Sequence, residues 1–282
     1  MSLLVELAPR LRIEYINDES KRDVRLRSNC VRNILNKYQE KCSIYLAAGG
    51  NIGEEIVSIL KHEGSMIKHI KIKDDAKIES FIRSGNQAAT GQEKMHKLTF
   101  DDINSIRREF ISALYNEDSV LLPIYDIEKD FALDFLRKVN DYHKSSVVFG
   151  DEAIFALQEK PTAIILTKDQ VIDYAPFKIV SDYELINFSY SLTEGNNTNM
   201  LILNDHSLLF YYENMCLGYY CDKYDVDMIM FAFLFAIENN LPQKDWPYFV
   251  AAASQSEVGT KIGEILSNSK KINMSVLRRW QN

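Results

Sequence analysis

Ten consecutive apolar residues, Met228 to Ile237, follow the acidic pair Asp225 and Asp227, and no other stretch constrains this 282-residue chain as strongly. Ten residues are too few for a bilayer crossing, which takes about 20. A helix that is apolar all round must instead be surrounded by protein, so the chain has to build a large layered core around it. Two carboxylates stand at the entry to that helix, near the positive end of its dipole. One reading is structural: Asp225 or Asp227 accepts a backbone N–H as a cap. The other is chemical: a general base at the mouth of an anion site, because helix N-termini attract phosphate.

Around this segment, short β-type runs alternate with amphipathic helices. The pattern predicts strands over Leu3–Leu7, Arg12–Ile16, Ile44–Ala48, His69–Lys73, Lys77–Ile82, Ser119–Ile124, Ser146–Phe149, Ala163–Leu166, Met200–Leu203 and Ser207–Tyr212. It predicts helices over Ser28–Tyr38, Gly53–His62, Phe100–Tyr115, Asp130–Tyr142, Asp151–Gln158, Lys168–Tyr174, Asp182–Leu192, Asp227–Glu238 and Lys244–Ser254. Ser256–Leu266 and Ser275–Trp280 are expected to be helical as well. Local chemistry supports several boundaries. Thr99 stands three residues before Asp102, as in a capping box. Gly64 suits a left-handed helix stop, and Asn204-Asp205 suits a hairpin turn.

Serial βα units imply a mostly parallel sheet with helices on both faces. Arg12–Ile16, His69–Lys73 and Lys77–Ile82 instead alternate apolar with charged residues, which predicts an antiparallel flap apart from the main sheet. Asn17–Asp23 and Ser84–Lys94 read as loops beside it.

Composition narrows the function classes. Fifteen Tyr and fourteen Phe supply ample core, which excludes disorder. A net charge of −7 argues against nucleic acid or an anionic membrane as partner. Met1–Val5 runs into Glu6 and Arg10 without a signal peptide's apolar stretch, so a cytoplasmic protein is expected. Cys30, Cys42, Cys216 and Cys221 show no metal spacing and are expected to be reduced thiols. His62, His69, His96, His143 and His206 show no zinc motif, and nucleophile-elbow and Walker patterns are absent. Gly49-Gly50-Asn51-Ile52-Gly53 follows a strand and opens a helix, which suits either phosphate cradling or close backbone packing. Arg22, Arg25, Arg27 and Arg32 cluster around the Ser28–Tyr38 helix, as a solvated face or as a phosphate clamp.

In order and spacing, these segments resemble the PfkB sugar-kinase family, in its phosphofructokinase and tagatose-phosphate kinase branch, over nearly the whole chain. Gly49-Gly50-Asn51-Ile52-Gly53 matches the family's Gly-Gly-x-x-Gly turn. Val24–Asn29 falls on Gly-Gly-Lys-Gly-x-Asn with only Asn29 kept, and Arg12 replaces the substrate-binding Asp. Lys77 takes the place of a lid arginine. On the nucleotide side, Thr167 and Gln170 replace the Asn and Glu of Asn-x-x-Glu. Leu203-Asn204-Asp205-His206-Ser207 lies on Leu-Gly-x-x-Gly with both glycines lost. Tyr224-Asp225-Val226-Asp227 lies on Gly-Ala-Gly-Asp, so Asp227 keeps the catalytic-base position while Tyr224, Asp225 and Val226 occupy the anion hole.

The resemblance implies a ribokinase-like α/β/α core of mostly parallel sheet over residues 1–282, with a small β-lid drawn from about 8–20 and 68–95. It implies ATP- and magnesium-dependent phosphorylation of a sugar or sugar phosphate and a homodimer formed through the lid. Arg25, Arg27, Asn29, Gly49, Gly50, Asn51 and Lys77 would meet the sugar; Thr167, Gln170, Asn204, His206 and Ser207 would meet the nucleotide. The competing class is a pseudokinase: an inactive relative that keeps the scaffold as a ligand-binding or regulatory protein.

Overall fold

The computed structural model describes all residues except 8, 17–18, 85–86, 93–97, 126–128, 195–196 and 281–282. Ala8, His96 and part of the expected 84–94 loop therefore lie outside the described residues. The strands are β1 (Ser2–Glu6), β2 (Arg10–Ile16), β3 (Glu19–Arg25), β4 (Cys42–Gly49), β5 (Met66–Ile72), β6 (Lys77–Ser84) and β7 (Gln87–Gln92). They continue with β8 (Ser119–Pro123), β9 (Ser145–Phe149), β10 (Ala163–Thr167), β11 (Asn199–Asn204), β12 (Ser207–Tyr212), β13 (Met215–Tyr220) and β14 (Ser275–Arg279). The helices are α1 (Asn29–Lys37), α2 (Gly50–His62), α3 (Phe100–Leu114), α4 (Lys129–Asp141), α5 (Lys168–Tyr174) and α6 (Asp182–Thr193). The last three are α7 (Val226–Glu238), α8 (Trp246–Ser254) and α9 (Ile262–Ser269).

Ten strands form one sheet in the order β14-β13-β12-β11-β10-β9-β8-β1-β4-β5. From β11 through β5 the pairings are parallel, and the three at the other end are antiparallel. Alternate strand residues feed two cores. One packs Leu3, Val5 and Leu122 against α3–α6; the other packs Leu4, Leu121 and Phe210 against α1, α7, α8 and α9. Met228 through Ala236 are all buried, as a helix apolar on every face requires. Strand order reverses between β1 and β8, and a doubly wound sheet opens a crevice beyond the carboxyl ends of its strands at such a point.

A second sheet has the order β3-β2-β6-β7. Its Leu11 and Val24 pack with Ile44, Leu46 and Ile56 of β4 and α2. Its central pair, β2 with β6, is parallel, which corrects the expected antiparallel flap. His69–Lys73 is corrected too: β5 is the parallel edge strand beside β4 in the main sheet. One-sided alternation marks any strand with one covered face, so an edge strand and a flap read alike.

The expected loop at Asn17–Asp23 is largely β3, whose polar sequence carries no strand signal and which is held by its ladder with β2. Gln87–Gln92 likewise pairs with β6 as β7. Ser275–Trp280, expected to be helical, is strand β14 against β13, itself unforeseen. Asp151–Gln158 is a 3-10 helix over Ala153–Glu159, and Ser256–Leu266 gives way to α9, which starts at Ile262. Where local chemistry was strong, expectation and structure agree. Thr99 and Asp102 form a capping box, Gly64 has φ +79°, and the β11–β12 hairpin turns through Asp205 and His206, just past Asn204 at the end of β11.

Candidate active site

The mouth of α7 is shaped by its own entry residues. Asp225 is extended, with φ −100° and ψ 112°, and its carboxylate Oδ1 accepts the N–H groups of Asp227 at 2.9 Å and Met228 at 3.1 Å. The Asp225 N–H donates to the Ser254 carbonyl at the end of α8, at 3.0 Å. Three backbone donors at this helix mouth are therefore committed within the chain. The capping reading of Asp225 is the one found.

Asp227 is half-buried. Burial chiefly, and the neighbouring Asp225 charge, push its carboxyl above the ordinary range, while the Cys30 thiol of α1 donates to it and opposes that rise. The Cys30 thiol is itself pushed up, by desolvation first and by Asp227 next. Tyr125, just past β8, has its phenol raised by burial and by the Asp151 and Asp227 charges. The Arg27 guanidinium lies 4.6 Å from the centre of the Tyr125 ring. Arg27, Cys30, Tyr125 and Asp227 thus gather where β1 and β8 diverge.

Glu6 ends β1 at that point and is only 2% exposed. Its carboxylate accepts the N–H of Ser28 at 2.6 Å and of Arg27 at 3.1 Å, at the entry to α1. Burial pushes Glu6 upward and these bonds offset part of the rise. The Arg27 and Ser28 N–H groups at the entry to α1 are thereby taken by a carboxylate from β1. Asn29 begins α1, and its Oδ1 is buried without a hydrogen-bond partner.

The Gly49-Gly50 turn shows the same filling. Gly50 has φ +61°, and a Cβ there would stand 1.5 Å from Asp75 Oδ1; a Cβ on Gly49 would meet the Ile72 and Asp74 carbonyl oxygens at 2.2 Å. Only glycine fits both positions. Asp75 Oδ1 also lies 3.4 Å from the Ile52 N–H in the first turn of α2. Asn51 is exposed beside it.

The remaining candidates lie elsewhere or are engaged locally. Arg25 pairs with the buried Glu79 of β6 at 2.8 Å and Arg22 with Glu55 at 2.6 Å, so the arginine cluster does not form one clamp. Lys77 is 7% exposed within the second sheet, at the level of Arg10. Thr167 and Gln170 cap α5 reciprocally, at 2.8 and 3.3 Å, and the Gln170 amide also donates to the Gly150 carbonyl at 2.5 Å. The Asn204 amide donates to Ser207 Oγ at 3.1 Å across the hairpin, whose exposed turn holds His206. Val226 opens α7, and Tyr224 stands near Asp205 and Cys221 with its phenol raised by burial and by those groups.

Glu6, Cys30, Tyr125 and Asp75 were not singled out by sequence. Glu6 did leave a signal, as a lone charge at the end of a fully buried strand. Asp75 left none, because it reaches Gly50 only after β5 returns the chain.

The chain has a ribokinase-like α/β fold: a broad, mostly parallel sheet between helical layers with a small second sheet beside it. No family model and no curated protein matches the sequence. Solved structures do match its fold. A provisionally named phosphofructokinase from Staphylococcus aureus superposes with TM-score 0.77 at 14% identity, over 99% of this chain and 100% of that one. A provisionally named 1-phosphofructokinase from Thermotoga maritima gives 0.75 at 12%, over 98% and 99%. Phosphofructokinase-2 from Escherichia coli, in complex with fructose-6-phosphate, gives 0.72 at 13%, over 96% and 98%. These structural neighbours are of the kind the sequence resemblance names.

Proposed function

We propose that this chain is a divergent PfkB-type relative in which phosphoryl transfer has been lost, and that it serves as a ligand-binding or regulatory pseudokinase. One observation carries this reading: the Asp225 carboxylate holds the Asp227 and Met228 N–H groups at 2.9 and 3.1 Å. A transferred phosphoryl group needs free, positive donors where its charge develops. Here it would meet occupied donors and a carboxylate, and like charges in a partly desolvated mouth repel strongly.

The nucleotide side supports the same reading. ATP with magnesium would supply the phosphoryl group in an active relative, and by the sequence resemblance Thr167, Gln170, Asn204 and Ser207 would meet that nucleotide. Those four side chains are hydrogen-bonded to each other or to nearby backbone, and neither position 204 nor 207 has the glycine that lets a nucleotide approach. The residues present do not fit the cofactor. The second reading, a slow sugar kinase with Asp227 as base, is favoured by that residue's half-buried place at the mouth of α7. The second sheet remains the proposed surface for a homodimer.

Phosphoryl transfer from ATP with magnesium to a panel of ketoses and ketose phosphates, measured beside calorimetric ATP titration, tests the proposal. Absent turnover and absent tight ATP binding are expected. Turnover in the wild type that disappears in Asp227→Asn would overturn the pseudokinase reading.

A further inference from the structure

The segment that joins α5 to α6 turns an apolar surface to water. Tyr174, Phe177, Val180 and Tyr183 are between 42% and 70% exposed. No other ten-residue stretch among the described residues holds more than one large exposed apolar side chain. A concentration of that kind marks an interaction surface, whereas single exposed apolar residues do not.

The segment is held from behind. Phe177 packs edge-on against Phe188 of α6, with ring centres 5.4 Å apart, and Tyr174 packs against Phe155 at 5.9 Å. The Arg278 guanidinium of β14 lies 5.0 Å from the centre of the Tyr183 ring. The Val180 N–H donates to the Glu184 carboxylate at 2.8 Å, and Ser181 caps α6. Side chains fixed in this way lose little further freedom on association, which removes part of the cost of forming an interface.

Charge selects the occupant. A net charge of −7 opposes self-association in general. Around this segment the signs balance, with Lys168, Lys178, Arg278 and Arg279 against Asp169, Asp173, Asp182 and Glu184. Exposed Asp173 and Lys178 also flank Tyr174 and Phe177 symmetrically along the chain. Two such segments meeting antiparallel about a two-fold axis set Asp173 opposite Lys178 of the second copy, and Tyr174 opposite Phe177, twice over.

We propose that the α5–α6 connection is a two-fold contact between copies of this chain, with its four exposed apolar side chains at the centre and the Asp173–Lys178 pairs at the rim. α5 follows β10, which lies across β9, β8 and β1 from β4, where the second sheet packs. This contact is therefore separate from the homodimer surface proposed above and goes beyond it.

The test is sedimentation equilibrium of the full chain over a concentration series. Wild-type mass should rise with concentration, and Phe177→Glu should weaken the association by about tenfold or more, because it puts a charge at the apolar centre. Lys178→Asp alone and Asp173→Lys alone should each weaken it about tenfold, since each sets like charges opposite one another. Mixed in equal amounts, those two variants should regain wild-type association, because every rim contact then joins opposite charges. A wild-type mass independent of concentration, an unchanged association in Phe177→Glu, or a mixture no tighter than either single variant would overturn the proposal. A homodimer through the second sheet would add to every variant alike, so its presence or failure leaves these differences readable.

Discussion

The N-termini of α7 and α2 are both met by carboxylates of the chain, yet the two are held differently. Asp225 is the residue next to its own helix; it makes two bonds, at 2.9 and 3.1 Å, and its N–H is tied to α8. Asp75 comes from a loop 23 residues beyond Ile52, is exposed, and makes one long contact of 3.4 Å. A local cap forms whenever its helix forms, so no ligand displaces it without opening the helix end. A loop carboxylate on one weak contact yields to a competing ligand at little cost. The α7 mouth is therefore closed by construction, while the α2 turn remains open to exchange.

Four substitutions separate these cases. The largest effect should come from the body of α7 rather than its mouth. Phe233→Ala removes a ring that is 2% exposed and should cost about 3–5 kcal/mol in urea unfolding. A loss as small as that of a surface change would mean α7 is not the packed centre of its layer. Asp225→Ala should cost about 0.5–2 kcal/mol, the value of an N-cap. Measured in the same denaturant series, an unchanged midpoint would show that the cap is not a structural element.

Asp227→Asn works through pH. The folded carboxyl titrates above its ordinary range, so the native state holds a proton that the unfolded chain has released. Stability is then lost as pH rises from the ordinary carboxylate value through the raised one. The Asn variant should be more stable than wild type at neutral pH and show a flatter stability profile across that window. Equal pH profiles for the two proteins would remove the assigned burial cost. Asp75→Ala should be the mildest, within about 0.5 kcal/mol, because the contact it removes is long and exposed. A cost matching that of Asp225→Ala would erase the distinction between the two helix ends.

Much of the cleft is legible in the sequence. The buried helix, its acidic entry and the glycine turn all announce themselves within short windows of chain. Arg27 and Asp227 do converge, through Tyr125, but Arg25 turns to Glu79 and Lys77 sinks into the second sheet. A cluster of arginines in sequence says nothing about strand facing. Arg25 ends β3 in register with Arg10, whereas Arg27 lies past the strand and is free of its alternation.

What sequence alone determined here is what acts over a few residues: the ten-residue apolar run, the Thr99–Asp102 box, the hairpin turn at Asp205 and the alternating α/β order. Those signals are chemical and local, and they survive in any surrounding fold. Tertiary structure alone decided that β5 joins the main sheet, that the Ser275–Arg279 segment becomes a strand, and that Glu6 and Asp75 reach the N–H groups of distant helices. Strand pairing and carboxylate contacts across 20 or more residues depend on where the chain returns. That return is set by burial of the whole core rather than by any one stretch of it.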